Sequence, residues 1–355
     1  MRGVFQEVGH DGSADTIVMH EGLPMPELDE NSVIIQVRAC GLSLVDANLL
    51  IELFRKNPLS RQPVGHEISG VITQIGSQVT SLQCGDEVAG LLPLDSPYPG
   101  CAEFCVCSEY DVVKKMNSIS FETAAGAVGN AIRAYSALHY QARLCSGDSV
   151  LVIDGASSFG NTVIQLAQQW GAKVLATASN GQERKYLEDT FPKLAQVVDI
   201  GEKRNVMLAA VLEETGGMGV DCVVDNGVKM FNNNDLEDEN VRMEVMHPLP
   251  TKHDIISSLA MGGRWITSQS DLQLDPPDSQ IMYMKSASVC FLFEHSWCLS
   301  SAQQGRYQHM LKDIMQKLEH NSLNPMINRV VTLDSAVETL KQLDSRRMEK
   351  VVARI

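Results

Sequence analysis

From Val150 to Gly160 the chain reads Val-Leu-Val-Ile-Asp-Gly-Ala-Ser-Ser-Phe-Gly: an apolar strand, a turn of small residues, and the start of a helix rich in Ile, Leu and Ala. Such a turn leaves main-chain N–H groups free at a helix N-terminus, where a diphosphate can be held. Gly155 permits a tight turn, and Gly160 lets the helix lie close to the strand. Ala156, Ser157, Ser158 and Phe159 complete the candidate phosphate cradle. A dinucleotide turn prefers glycine where Ser157 stands. Serine brings a Cβ toward the phosphate but also offers a hydroxyl donor. An ordinary βα turn that binds nothing has the same outline, so the loop alone leaves both readings open.

The next strand closes at Ala176-Thr177-Ala178-Ser179 without Asp or Glu. An acid there would hold the ribose 2′-hydroxyl of NAD, so its absence tilts the expectation toward NADP. Ser179 would then lie beside the adenosine, and Arg184 or Lys185 could meet the 2′-phosphate as a charge-assisted pair. Exposed helix charges would look the same. Cys101, Cys105 and Cys107 invite a structural zinc, but they lack two C-x-x-C pairs. Cys105 and Cys107, two positions apart, share one face of a strand.

The surrounding elements divide the chain in two, as 355 residues allow. Short alternating stretches with frequent glycine (Ser32 to Ala39, Ile68 to Ile75, Glu87 to Gly90, Glu103 to Tyr110) predict a compact β-rich part. Near Phe121 the texture changes, and Glu122 to Tyr140 has helical spacing. Strands at Ser149–Ile153, Lys173–Thr177, Val197–Ile200 and Asp221–Val224 then alternate with helices at Phe159–Trp170, Glu183–Glu188 and Val206–Glu214. That order implies parallel strands with helical crossovers. Phe231 to Val241, polar and acidic, reads as a surface insertion. Beyond it the pattern predicts a helix over Asp254–Met261, a turn at Gly262-Gly263, strands at Arg264–Thr267 and Ser288–Phe293, and a helix over Tyr307–Leu318.

A hydrophobic fraction of 44% fits a globular protein with a sizeable core. A formal net charge of −15 argues against nucleic-acid binding, since a phosphate lattice selects Lys and Arg. No segment has the form of a secretory signal, and no run approaches the ~20 apolar residues of a bilayer span. Nine cysteines show no disulfide framework. The expected compartment is the cytoplasm.

Motifs in a fixed order carry a resemblance. Ala39-Cys40-Gly41-Leu42-Ser43-Leu44-Val45-Asp46 comes first, then Gly65-His66-Glu67-Ile68-Ser69-Gly70 and Gly85-Asp86-Glu87-Val88-Ala89-Gly90. Thr215-Gly216-Gly217-Met218-Gly219-Val220-Asp221 follows the nucleotide loop. The chain resembles, nearly end to end, the zinc-independent quinone oxidoreductase branch (zeta-crystallin-like) of the medium-chain dehydrogenase/reductase superfamily. The resemblance implies an α/β protein with a Rossmann doubly wound parallel sheet over 126–299, and a GroES-like β-rich domain formed by both chain ends, 1–125 with 300–355. It implies NADPH as cofactor, hydride transfer to a quinone or activated alkene, and a homodimer.

By motif position, Ser43, Asp46 and His66 would line the reacting end, while Gly227 and Lys350 would join the cofactor site. Ser43 replaces a polar Asn of the family and also takes the place of the first zinc ligand in the zinc-dependent branch. A third ligand is missing between Ala124 and Asn130, so no metal is expected. Some family features are absent: a tyrosine after the first motif, glycine at Ser157 and Ser158, and glycine in the Ile266–Gln269 strand end. These departures keep a second reading open, a binding or scaffold subunit with weak or no turnover.

Overall fold

The computed structural model describes residues 1–7, 16–43, 61–201, 206–226, 250–299, 301–343 and 350–355. They form two units, Met1–Ile132 with Glu294–Ile355, and Arg133–Phe293.

The first unit opens with β1 (Gly3–Glu7), β2 (Thr16–His20), β3 (Ser32–Leu42), β4 (Arg61–Pro63), β5 (Glu67–Ile75), β6 (Glu87–Leu91), β7 (Phe104–Ser108) and β8 (Val112–Lys114). Val33, Ile35 and Val37 of β3 pack with Ile68 and Ile72 of β5 and with Cys105 and Cys107 of β7, while Ile34, Ala39, Cys40, Gly41 and Leu42 of β3 are buried as well, so the expected alternation does not leave a solvent face. Helix α1 (Phe121–Tyr135) follows, and the chain then widens into a π-helical turn over Ser136–Gln141. The helix expected to run unbroken to Tyr140 therefore changes its hydrogen bonding at Ser136.

The second unit alternates as its sequence demands: β9 (Ser149–Val152), α2 (Ser158–Gln169), β10 (Lys173–Ala178), α3 (Gly181–Thr190), β11 (Gln196–Asp199), α4 (Val206–Glu214), β12 (Val220–Asp225), α5 (Lys252–Ser258), β13 (Leu259–Thr267), α6 (Pro276–Met284) and β14 (Ser288–Phe291). The strands make one parallel sheet in the order β11-β10-β9-β12-β13-β14. Strand order reverses between β9 and β12, and in such sheets ligands bind beyond the C-terminal ends of the strands at the reversal.

One expectation is corrected here. The predicted helix Asp254–Met261 starts with a capping box between Thr251 and Asp254, but stops at Ser258. The Lys285 ammonium takes the carbonyls of Ile256, Ser257 and Leu259, supplying donors to the last turn, so the chain leaves the helix three residues early. Gly262-Gly263 then forms a bulge inside β13, with Gly262 at φ +73, where the pairing with β12 jumps from Leu259 to Arg264. At the far end of these strands the buried Asp225 carboxylate accepts from Trp265 Nε1 at 2.5 Å and from Thr267 Oγ1 at 2.9 Å. That fixes the strand ends side by side.

The chain returns to the first unit with α7 (Gln304–Glu319), β15 (Arg329–Thr332), α8 (Leu333–Gln342) and β16 (Val351–Arg354). Strand β16 pairs with β3, Val351 opposite Leu42, so both chain ends share one sheet in the order β15-β16-β3-β5-β6-β8, with β7 also on β3. Strands β2, β1 and β4 make a separate three-stranded sheet. The fold is the expected one, a Rossmann parallel sheet and a GroES-like unit. The acidic stretch Phe231–Val241 lies outside the described residues. Among those described, no helix is long and apolar enough to cross a membrane.

Candidate functional site

In the second unit the turn after β9 is held from three sides. Asp154 N donates to Thr177 Oγ1 at 2.9 Å, and Gly155 N to the Thr177 carbonyl at 3.0 Å, which ties the turn to β10. Asn161 Nδ2 donates to the carbonyls of Gly155 and Ser157, while Asn161 Oδ1 accepts from Tyr186 of α3 at 2.6 Å. A Cβ on Gly160 would stand 2.3 Å from the Asp154 carbonyl, and one on Gly155 would stand 2.7 Å from Ala176 Cβ. Both glycines are therefore demanded by close approach.

The left-handed position of the turn falls on Asp154, at φ 56, rather than on Gly155. Its carboxyl is pushed up to about 6, by burial first and then by the charge of Glu183. The Ser157 hydroxyl is not a spare donor. It donates to the Asp154 carbonyl at 2.8 Å and accepts from Gly160 N at 3.0 Å, which makes Ser157 the N-cap of α2. Ser158 and Phe159 are buried, Ala156 is half-buried, and the Arg133 guanidinium lies 4.8 Å from the centre of the Phe159 ring.

At the end of β10 a carboxylate is present after all. Glu183, in the first turn of α3, reaches back so that Oε2 accepts from Ser179 N at 2.8 Å and Oε1 from Asn180 Nδ2 at 3.0 Å. Arg184 is engaged with Glu188 one turn on, at 2.9 Å, and Lys185 is exposed. The strand residues alone gave no sign of this acid, because it arrives from the next helix.

Beyond the ends of β12 and β13, sequence reasoning missed a group of polar atoms. Among the described residues, Asn226 Oδ1 and Nδ2, Ser268 Oγ and Gln269 Oε1 are buried without a hydrogen-bond partner. Buried orphans of this kind cost free energy unless something satisfies them. They stand at the C-terminal edge of the sheet beside the strand reversal, and between them offer donors and acceptors that suit an amide-bearing ring. Gly227 lies outside the described residues.

In the first unit His66 is buried, its ring 5.6 Å from that of His295 and set edge-on. Burial, and secondly the neighbouring His295, push its pKa down to about 3, against the carbonyls of Leu92 and Pro93. His66 Nδ1 is buried with no hydrogen-bond partner. The ring is thus neutral at ordinary pH and is no proton donor of the imidazolium kind. Ser43, half-buried, follows directly on β3, and Asp46 lies outside the described residues.

Lys350 has a partner within the first unit. Its ammonium is paired with the buried Glu67 carboxylate, which also accepts from Gly129 N of α1 at 3.2 Å. A Cβ on Gly129 would lie 2.4 Å from that carboxyl carbon, so the pocket is shaped around the acid. Among the described residues, no group of three His, Cys, Asp or Glu side chains could hold a metal ion.

Residues 29–141 match the alcohol dehydrogenase GroES-like domain family. The chain is 39% identical to mouse (Mus musculus) quinone oxidoreductase-like protein 1 over 354 residues, covering 99% of each chain. It is 36% identical over 180 residues to 2-methylene-furan-3-one reductase of Solanum lycopersicum, covering 48% of this chain and 46% of that one. A mycobacterial protein solved in complex with NADPH superposes with a TM-score of 0.78 over the whole of both chains, at 20% identity, a likeness of fold.

Proposed function

The chain belongs to the quinone oxidoreductase-like group of the medium-chain dehydrogenase/reductase family, and on that premise we propose that it is an NADPH-dependent oxidoreductase reducing a quinone or an activated alkene without zinc. The observation that carries this reading is the fit of the second unit to a nicotinamide dinucleotide. The turn after β9 has the close glycine approaches of a diphosphate cradle, and the orphaned polar atoms of Asn226, Ser268 and Gln269 lie along the same sheet edge.

Each residue has a task in this reading. The N-terminal amides of α2 receive the diphosphate, and Asn161 with Tyr186 keeps the turn carbonyls from facing it. Asn226, Ser268 and Gln269 orient the carboxamide, while Lys185 remains as an exposed cation for a 2′-phosphate. When bound, the reduced nicotinamide supplies the hydride. Ser43 and the neutral, water-excluded His66 are the polar groups of the first unit that the motifs assign to the acceptor. The names of the mouse and tomato relatives support an acceptor of the quinone or conjugated-alkene class.

We further propose a homodimer. Strand β14 is an open edge of the six-stranded sheet, and Met261, Tyr283, Met284 and Phe291 are exposed around it. A second copy would cover them. Nine unbridged cysteines suit a reducing cytoplasm.

A scaffold subunit without turnover is the second reading. It is favoured by the Asp154 carboxyl inside the turn and by a Ser157 hydroxyl already spent on the cap. Titration with NADPH and NADH, followed by nicotinamide fluorescence, separates the two. Micromolar binding supports the oxidoreductase, and a panel of quinones and enones then tests turnover. Absence of binding by either dinucleotide overturns it in favour of the scaffold.

A further inference from the structure

The absence of an acid at the end of β10 is what directs the sequence toward NADP, yet folding brings one there. Glu183 is not loosely placed. Two hydrogen bonds, from Ser179 N and from Asn180 Nδ2, hold its carboxylate against the first residue beyond β10. The start of α3 does not depend on it, because Asn180 Oδ1 already accepts from the amides of Gln182 and Glu183. The same carboxylate is near enough to Asp154 for its charge to add to burial in raising that carboxyl. Glu183 therefore stands between the diphosphate turn and the end of the second strand. In a dinucleotide-binding sheet that interval is crossed by the adenosine ribose.

The electrostatic surroundings of Glu183 are acidic. Arg184, one of the two cations expected to meet a 2′-phosphate, is paired with Glu188 on the exposed face of α3 and also lies in the field of Asp199, which closes β11. Asp154, Glu183 and Asp199 thus put a carboxylate at the end of each of three adjacent strands, beside the exposed ammonium of Lys185. A 2′-hydroxyl can donate to Glu183, whereas a 2′-phosphate can only be repelled by it.

Resting on the oxidoreductase reading above, we propose that Glu183 sets dinucleotide selectivity: its carboxylate accepts from the adenosine 2′-hydroxyl and opposes a 2′-phosphate, so that the site takes NADH as well as NADPH. It is a specificity residue and takes no part in hydride transfer.

The test is a set of equilibrium titrations with no turnover involved. Kd is measured for NADH and NADPH, and for the adenosine halves ADP and adenosine 2′,5′-bisphosphate, on the unaltered chain and on Glu183→Gln. The amide oxygen of glutamine can still accept from Ser179 N, which keeps the side chain at the strand end, and a melting temperature within a few degrees verifies that the fold is intact. The expected result is that the ratio Kd(NADH)/Kd(NADPH) rises about tenfold in the variant, the size of one charge-assisted contact. The two adenosine halves should shift in the same sense. Equal weakening of both dinucleotides, or an unchanged ratio, overturns the role of Glu183 and leaves the oxidoreductase standing. If the unaltered chain binds neither dinucleotide, the oxidoreductase reading falls and this one with it. If Glu183→Gln unfolds, the unaltered chain still decides: a preference for NADPH over NADH beyond about a hundredfold, or for adenosine 2′,5′-bisphosphate over ADP by as much, overturns the proposal, since it is incompatible with a carboxylate at the ribose.

Discussion

The Glu67 carboxylate and the Lys350 ammonium are paired inside the first unit, although 283 residues separate them along the chain. Both side chains are below a tenth exposed, so neither charge has water as an alternative partner. Lys350→Met is expected to leave the carboxylate buried and unpaired, at a cost of about 3–5 kcal/mol, and Glu67→Gln combined with it to recover most of that loss. Denaturant unfolding of the two single variants and the double checks this. Losses that simply add would show that the two charges are not coupled.

Asp154 makes the diphosphate turn sensitive to pH. Burial, and secondly the charge of Glu183, raise its carboxyl to about 6. Above that value it is ionised and repels a bound diphosphate; below it, the repulsion fades. Dinucleotide affinity should therefore increase as pH falls from 8 to 5, by about fivefold for a partly screened charge pair. Asp154→Asn, which also tolerates the left-handed φ of 56, should bind more tightly at pH 8 and lose most of this dependence. Titrations at several pH values measure it. An identical slope in the variant would remove Asp154 from the account.

Ser157 caps α2 through its hydroxyl, so its removal is felt as stability. Ser157→Ala should cost about 1 kcal/mol, and Ser157→Gly only a few tenths. The glycine variant also clears a Cβ from the diphosphate turn, and its dinucleotide affinity should equal or exceed that of the parent. Urea midpoints together with binding titrations test both statements. Equal destabilisation by Ala and Gly would contradict the capping role.

His66 and Asp111 give opposite pH dependences of stability. Burial lowers His66 from 6.5 to about 3, so the unfolded ring takes up a proton first and stability is lost as pH falls from 6.5 toward 3. Burial raises Asp111 from 3.8 to about 7, so the unfolded carboxyl ionises first and stability is lost as pH rises through that interval. Each slope approaches about 1.4 kcal/mol per pH unit where it is fully expressed. Unfolding free energies between pH 4 and pH 8 should lose the acid-side decline in His66→Gln and the opposing decline in Asp111→Asn. Unchanged profiles would mean that neither group's pKa differs between the folded and the unfolded chain.

Much of this architecture was legible in the residues. The strand at Val150 to Ile153 is apolar throughout because a parallel sheet covered on both faces leaves no solvent side. The alternation expected for β3 is lost on folding: Ile34 is buried between Val33 and Ile35, and Arg38 is the one exposed residue of the strand. The turn after β9, the two glycines that fit its close contacts, and the shared sheet of both chain ends were all within reach of pattern and resemblance. The end of α5 was not, because its terminator, Lys285, lies in another element and works through space. For the same reason the orphaned atoms of Asn226, Ser268 and Gln269 had no signature. A polar residue after a strand looks identical whether it meets water, a partner or nothing.

By itself the sequence determined which segments become strands and helices, and in what order they alternate. Those choices depend on local periodicity and on burial, which side-chain type encodes directly. Only the tertiary structure decided that Lys350 belongs to Glu67, that Ser157 is a cap, that Asp154 takes the left-handed turn position, and that Glu183 supplies an acid to a strand end written without one. Electrostatic and hydrogen-bond roles depend on distances between atoms far apart in sequence, and a chain acquires those distances only when it folds.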